Sequence, residues 1–392
     1  MNLAESLQSF IDRVPEEDLG LGPRGQDLGS LVFSRPFLAM HQLAKLYTLA
    51  QCLGLLRDLG CGPALERGAT LEELLPGFHP QSRRALAWML DFLALEGVLD
   101  LSEGCFRLPR DPEIDLSELR ALADREAPGH EPTFDLLDAV RRQIRPYFTE
   151  GRSGDQLLFD LSIFPLWLGY FRNENLIYRC NNVFTLAALQ EGLRPGTRVL
   201  ELGGGAASFA QLLAQDGARH GYLDRFSDYR FTDVAPTFLR RAQRNLSDWA
   251  PGIPFSFSLA DIDRPLVEQG LEGAAFDVIL GVNVLHVAKD LPQTLALLRR
   301  HLAPGGRLIV GECLKPRLGE PIYVEWFFQF VTSFCEVATD PELRPAPGFL
   351  TPEVWVKLLR HAGFAEVREV PRARPLMDSC SAFYVGAFEA RG

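Results

Sequence analysis

The sequence predicts an α/β fold in which a doubly wound, mostly parallel sheet follows a mostly helical amino-terminal domain. After residue 190, short apolar strands alternate with helical segments, which is typical of parallel sheets. The first of these strands runs into the triplet Gly203 to Gly205 and then a helix. Before residue 110, helical segments precede a hairpin. We therefore expect one domain over 1–110, a connector and helical segment over 111–190, and a second domain over 191–392.

The amino-terminal segment has the pattern of a winged helix. Three helical patterns and then two short strands are predicted, over Phe37–Leu59, Thr70–Glu73 (a capping box), Pro80–Leu95, Gly97–Leu101 and Cys105–Leu108. Residues 1–110 hold ten Lys or Arg against fourteen Asp or Glu, which disfavours DNA binding. We expect a dimerisation and substrate-capping domain, and a winged-helix regulator is the alternative from a different functional class.

The sheet domain places polar residues where its strands end. Strands are predicted at Val199–Leu202, Tyr229–Asp233, Phe255–Leu259, Phe276–Leu280 and Arg307–Val310, and Glu366–Val370 and Ala382–Phe388 complete the sheet. Ligands of such sheets bind at the carboxyl ends of the strands. The polar candidates at those ends are Glu201, Asp233, Asp261, Asn283, His286 and Glu312.

His286 and Glu312 form a candidate catalytic pair. They follow the fourth and fifth strands, which are neighbours, so their side chains come within reach of each other. A carboxylate that accepts a proton from one imidazole nitrogen fixes the tautomer and leaves the other nitrogen basic. The alternative is a structural role, in which the histidine forms its hydrogen bonds at the start of a helix and the glutamate binds backbone groups.

The same residues resemble the class I S-adenosylmethionine-dependent methyltransferases. The resemblance rests on Glu201 with its following glycines, the carboxylates Asp233 and Asp261, and Pro304-Gly-Gly306 before the fifth strand. It implies a Rossmann-like, seven-stranded domain that binds S-adenosylmethionine. The implied cofactor site comprises Glu201, Gly203, Gly205, Asp233, Asp261 and Asn283, with Asp233 on the ribose hydroxyls and Asp261 near the adenine. Asp233 lies 28 residues after Gly205, longer than the ~20 of a dinucleotide site, which disfavours NAD.

A finer resemblance is to the C-methyltransferase domains of polyketide synthases. Three stretches carry it: Phe231–Leu239, Asp261–Pro265 with Gln269-Gly270, and Asn283–Leu291. The chain departs from that family at Ala207 and Ser208, where glycine is usual. The family's His–Glu dyad corresponds to His286 and Glu312. This resemblance implies C-methylation of an activated carbon in a polyketide-type natural product, free or carrier-bound.

The amino-terminal domain instead resembles that of the small-molecule O-methyltransferases. O-methylation of a phenol or enol is therefore an alternative, and so is a cofactor-assisted reaction without methyl transfer. Two apolar aromatic segments are candidates for lining the pocket that binds the methyl acceptor. The alternative is that they only pack in the core. The first contributes Trp167, Phe171 and Tyr178, and the second, expected as one helix over Ile322–Phe334, contributes Trp326 and Phe330.

Composition restricts the partners. The net charge of −11 repels phosphate backbones, so we expect no nucleic-acid partner. Seven scattered cysteines without a C-x-x-C pair predict reduced thiols in a cytoplasmic protein and no metal site. No apolar run approaches the ~18 residues of a membrane span. We expect a homodimer that acts on a small molecule.

Overall fold

The computed structural model describes residues 3–14, 31–110, 112, 114–249, 252–271, 276–372, 374, 377–378 and 383–392. The predicted domain boundary at Asp111, the start of the last predicted strand at Ala382 and Cys380 lie outside these residues. The chain divides into two compact units. In their described parts, the amino-terminal unit comprises residues 3–14, Arg35–Tyr170 and Gly319–Cys335, and the sheet unit comprises residues 31–34, Phe171–Leu318 and Glu336–Gly392.

The amino-terminal unit is mostly helical. Its helices are α1 (Leu3–Ile11), α2 (Arg35–Asp58), α3 (Gly62–Arg67), α4 (Leu71–Leu74), α5 (Ser82–Leu95), α6 (Leu116–Glu126), α7 (Glu131–Gln143), α8 (Arg145–Thr149), α9 (Gly154–Leu158) and α10 (Phe164–Tyr170). A small antiparallel sheet has the order β1-β3-β2, with β1 at Ala69–Thr70, β2 at Asp100–Ser102 and β3 at Cys105–Arg107. The predicted hairpin and the capping box of Thr70 and Glu73 are confirmed. Strand β1 was not predicted from the sequence.

The predicted single helix over Ile322–Phe334 is wrong. The segment forms two 3₁₀ turns, Tyr323–Glu325 and Phe327–Phe330, and then the short helix α15 (Thr332–Cys335). The buried carboxylate of Glu325 accepts hydrogen bonds from the Trp88 indole, 3.2 Å, and from the backbone N–H of Ile322, 3.3 Å. The aromatic side chains are thus inserted individually into the core of the unit, and tertiary packing outweighs the tendency to form one continuous helix.

The sheet unit contains a seven-stranded sheet of order β6-β5-β4-β7-β8-β10-β9. Its strands are β4 (Thr197–Leu202), β5 (Phe226–Asp233), β6 (Phe255–Leu259), β7 (Phe276–Val282), β8 (Leu302–Cys313), β9 (Glu366–Val370) and β10 (Val385–Arg391). Strands β4 to β8 are parallel, whereas β10 pairs antiparallel with β8 and β9. Helices of this unit are α11 (Leu176–Glu191), α12 (Ser208–His220), α13 (Pro236–Trp249), α14 (Leu291–Arg300) and α16 (Pro352–His361).

The predicted α/β class and the seven-stranded sheet are confirmed. The fifth parallel strand is longer than predicted, so Glu312 lies inside β8 and not beyond its end. The strand register explains why the predicted site residues meet. Leu202 of β4 pairs with Gly281 of β7, and Val282 of β7 pairs with Gly311 of β8. The loops after β4 and β7 and the end of β8 therefore lie side by side at the carboxyl edge of the sheet.

Candidate active site

The turn after β4 has the geometry of a ligand cradle. Gly203 and Gly205 have φ values of 56° and 51°, in the region where a side chain is strained. A Cβ on Gly203 would lie 2.4 Å from a methyl of Val284, two residues before His286. On Gly205 the nearest atom would be the Gly203 carbonyl oxygen at 3.8 Å, so space is open beside this residue. Ala207 also has a positive φ, 63°, where the family resemblance expects glycine.

Two buried carboxylates support this turn. Asp233 accepts hydrogen bonds from the backbone N–H groups of Gly205, 2.9 Å, and Ala235, 2.8 Å. Burial raises the pKa of Asp233, and these backbone bonds oppose the rise. Glu201 accepts a hydrogen bond from the Tyr229 hydroxyl at 2.9 Å. Burial, with a smaller contribution from Asp233, raises the pKa of Glu201 to about 8, although the Tyr229 bond opposes this.

The catalytic pair predicted from the sequence is in contact. The Nδ1 atom of His286 lies 2.7 Å from Oε2 of Glu312. The other carboxylate oxygen accepts the backbone N–H groups of Leu285, 2.9 Å, and His286, 3.2 Å. Glu312 is fully buried and His286 is 4% exposed. Because the carboxylate is an acceptor, the proton of the neutral imidazole lies on Nδ1 and the basic lone pair on Nε2.

Tyr178 carries a buried phenol group near the start of α11. Its hydroxyl hydrogen-bonds with Ser208, the first residue of α12. Burial and the negative charges of Glu201 and Glu312 raise its pKa, burial most. The phenol is therefore within electrostatic range of both carboxylates and stays protonated at neutral pH.

Buried amides of α11 lie close to the same turn. Asn182 donates to Asn173 at 2.8 Å, and Asn173 donates to the Ser208 carbonyl at 2.7 Å. The side-chain carbonyl oxygens of Asn181 and Asn182 are buried and have no hydrogen-bond partner among the described residues. An unsatisfied buried acceptor is costly unless a ligand supplies a donor.

Asp261 and Asn283 have structural contacts. Gln269 binds both backbone groups of Asp261, at 2.7 and 2.9 Å, and Asp261 accepts the backbone N–H of Asp263 at 2.9 Å. Asn283 has a φ of 51°, and its side chain accepts the backbone N–H of Cys313 at 2.8 Å. Asn283 thereby fixes the end of β7 to the end of β8. These contacts position the loops around the site, and cofactor contact by either residue stays a prediction.

The five candidate acceptor residues do not form one group. Trp167, Trp326 and Phe330 lie in the amino-terminal unit and are 1%, 0% and 3% exposed. Trp167 donates its indole N–H to the Leu158 carbonyl at 2.6 Å, so core packing accounts for it. The Trp326 indole N–H has no partner in the described part of the chain. Phe171 and Tyr178 belong to the sheet unit, half-buried, with ring centroids 5.2 Å apart.

Several residues near the pair were not predicted. Phe349 packs on His286, with ring centroids 4.7 Å apart, and Arg344 donates to the His286 carbonyl at 2.6 Å. No sequence motif indicates either residue. Asn182 and Ser208 were also missed, whereas Asn173 belongs to the polar run Arg172–Tyr178, whose side chains are predicted from the sequence to close over a cofactor. Among the described residues, no group of three or more His, Cys, Asp or Glu could hold a metal ion. No described helix is long and apolar enough to cross a membrane.

These features fit S-adenosylmethionine. The open side of Gly205 accommodates a ligand against the backbone. The unpartnered amide oxygens of Asn181 and Asn182 can accept from the ammonium group of a methionine moiety. Each carboxylate oxygen of Asp233 already accepts one bond and has capacity for a second, from ribose hydroxyls.

Comparisons with known proteins indicate a methyltransferase domain. A methyltransferase domain family matches residues 200–308. The chain is 29% identical over 318 residues to polyketide synthase ThaG of Burkholderia thailandensis, covering 75% of this chain and 5% of ThaG. It is 32% identical over 171 residues to compactin diketide synthase mlcB of Penicillium citrinum, covering 43% and 6%. The chain thus spans only a small part of the length of these synthases.

A solved structure has the same fold. The CurJ carbon methyltransferase superimposes with a TM-score of 0.70 at 23% identity, covering all of this chain and 97% of that one. The likeness extends over both units of this chain. This likeness shows a shared fold. The domain match, the likeness to segments of polyketide synthases and the glycine turn identify the chain as a class I S-adenosylmethionine-dependent methyltransferase related to the methyltransferase domains of polyketide synthases.

Proposed function

We propose that the chain methylates an activated carbon of a polyketide-type small molecule, with His286 as the general base and Glu312 as the group that orients it. The observation that carries the proposal is the 2.7 Å contact between His286 Nδ1 and Glu312 at the carboxyl edge of the sheet. The carbon between two carbonyls of a β-keto thioester is acidic enough for an imidazole to deprotonate when the site holds both in line.

The pair has the arrangement that proton abstraction needs. Glu312 fixes the Nδ1–H tautomer and stabilises the imidazolium that forms when Nε2 takes the proton. Its second oxygen is held by two backbone N–H groups, so the carboxylate cannot rotate away from the ring. Bound S-adenosylmethionine supplies a methyl group already activated on a sulfonium. The chain therefore has only to deprotonate the acceptor and align it.

Supporting groups lie around the pair. Phe349 covers one side of the imidazole and limits its movement. Tyr178 presents a protonated phenol within range of both Glu201 and Glu312, where it can donate to a developing enolate oxygen. For the acceptor we retain Phe171 and Tyr178, which belong to the same unit as the pair.

The acceptor is a polyketide-type thioester, free or attached to a carrier protein. The support is the likeness to segments of polyketide synthases, and CurJ and DszA are named carbon methyltransferases. O-methylation of an enol uses the same base and is the outcome that would redirect the proposal.

The test is base-catalysed exchange at the acceptor carbon. In D₂O with S-adenosylhomocysteine bound, the native chain should exchange the α-proton of a β-keto thioester for deuterium faster than buffer alone does, and His286→Ala should not exceed the rate in buffer. Tyr178→Phe is the matched variant, since it lies at the same site and leaves the base in place, so exchange should be retained but slowed. Equal exchange by native chain and His286→Ala would refute the assignment of His286 as base.

A further inference from the structure

Arg344 is a buried cation beside the catalytic pair with no carboxylate partner. Its side chain is 0% exposed, and in the described part of the chain it forms no ion pair. Its guanidinium donates to two backbone carbonyls, His286 at 2.6 Å and Ala288 at 2.5 Å. Burying an arginine without a bonded carboxylate is costly, because the guanidinium loses its hydration and no opposite charge replaces it. Such a residue is expected where its charge or geometry is needed.

The two carbonyls belong to the end of the turn that carries His286. Leu285–Val287 forms a 3₁₀ turn, and Ala288 is its carboxyl-terminal cap. The carbonyl groups at such an end have no partner within the turn. Arg344 binds two of them with one planar group, which fixes the backbone on which the imidazole is mounted.

The segment that presents Arg344 is itself rigid. Asp340 and Arg344 exchange two backbone hydrogen bonds, both 2.9 Å, and the Asp340 carboxylate accepts the N–H groups of Glu342 and Leu343, both 2.8 Å. The same segment also binds the residue that follows the cap of this turn, since the Ala338 N–H donates to the Lys289 carbonyl at 2.7 Å. Phe349, farther along, packs on the imidazole itself.

The charge of Arg344 also acts on the pair. Burial lowers the pKa of Arg344 to about 10, and the negative charges of Glu312, Asp263 and Asp290 oppose that fall, Glu312 first. Arg344 therefore remains cationic at neutral pH. The positive charge of Arg344 and the negative charge of Glu312 therefore attract each other, which helps to hold the catalytic pair in place.

We infer that Arg344 is a positioning residue of the reaction: through the carbonyls of His286 and Ala288 it holds the imidazole in the orientation set by Glu312. It contacts neither the cofactor nor the acceptor in this role. The inference rests on the proposed function, because it requires that His286 acts as the base.

The experiment is chemical rescue with guanidinium. Arg344→Ala should lower kcat by about 10- to 100-fold, the usual range for removing a supporting group, with KM values nearly unchanged. Millimolar guanidinium should restore at least part of kcat. Arg344→Lys should not equal the native chain, because one ammonium does not reproduce the planar pair of bonds.

Arg307→Ala is the matched control. Arg307 is also a buried arginine of the sheet unit that donates to two backbone carbonyls, Ala188 at 2.8 Å and Leu189 at 2.5 Å. Arg307 lies five residues before Glu312 in β8, roughly 16 Å along the strand. Arg307→Ala should therefore lower the stability of the chain, and guanidinium should not raise the kcat of this variant.

The outcomes separate the two claims. Native-like kcat in folded Arg344→Ala, or a guanidinium effect no larger than in Arg307→Ala, would overturn the role of Arg344. If Arg344→Ala does not fold, Arg344→Lys decides: native-like kcat would then refute the inference. Full activity of His286→Ala would instead refute the proposed function, whatever Arg344 does.

Discussion

Replacing Glu201 with glutamine should remove a strong pH dependence of stability. The carboxyl is 2% exposed and bonded to the Tyr229 hydroxyl, and burial raises its pKa from 4.5 to about 8. An acid with a raised pKa keeps its proton in the folded chain while the unfolded chain releases it. Stability is therefore lost as the pH rises from about 4.5 to about 8.

The size of the effect follows from the shift. The rise of the Glu201 pKa from 4.5 to about 8 corresponds to about 5 kcal/mol, and about 3 kcal/mol of this develops between pH 5 and pH 8. Glutamine has the same shape, retains a carbonyl for the Tyr229 hydroxyl and carries no charge. The free energy of unfolding of Glu201→Gln, minus that of the native chain, should therefore grow by about 3 kcal/mol over this range.

Urea unfolding at several pH values measures this difference, and other titrating groups cancel in the subtraction. Glu389→Gln is a control in which the pKa shift, and therefore the change in stability, has the opposite sign. Glu389 is also buried, but its ion pairs with Arg307, Arg368 and Arg391 outweigh burial and lower its pKa. That variant should be less stable than the native chain at neutral pH. A pH-independent difference for Glu201→Gln would refute the reasoning.

Three further predictions concern the site, and a fourth concerns the oligomeric state. Binding of the cationic S-adenosylmethionine at neutral pH should release up to about one proton from Glu201, seen as a buffer-dependent enthalpy in calorimetry, and Glu201→Gln should show none. Asp233→Ala should abolish cofactor binding by calorimetry without unfolding the chain, and unchanged affinity would contradict its assignment to the ribose. Gly204→Ala should lose about 1 to 3 kcal/mol of stability in thermal unfolding, because its Cβ would lie 2.2 Å from the Phe231 ring, and an unchanged melting temperature would show that the ring moves freely. Light scattering at micromolar concentration should show a dimer, proposed from the resemblance of the amino-terminal domain, and a monomer would contradict it.

The carboxyl edge of the sheet was predictable because it depends on local patterns. Alternating apolar strands and helices define a parallel sheet, and the residue that follows each strand is then placed at one edge. Asp233, His286 and Glu312 could be assigned to a common site in this way. The pairing of β4 with β5 and β7, and of β7 with β8, brings the ends of these strands together as the prediction requires.

Long-range packing was not predictable. Arg344 lies 58 residues beyond His286, and no periodicity connects a side chain in one loop to the carbonyls of another. The aromatic segment around Trp326 was predicted as one helix because its composition permits helix. The conformation of this segment is determined by packing, because each aromatic side chain inserts separately into the amino-terminal unit. The other parts of that unit lie far earlier in the sequence.

The most direct test of the central claim is the position of the transferred methyl group. The native chain would be incubated with S-adenosylmethionine carrying a deuterated methyl and a β-keto thioester, and the product analysed by mass spectrometry. Label on the α-carbon, with formation of S-adenosylhomocysteine, is expected for the native chain, and both should be lost in His286→Ala. Label on oxygen, or full carbon labelling by His286→Ala, would contradict the proposal that His286 and Glu312 deprotonate carbon.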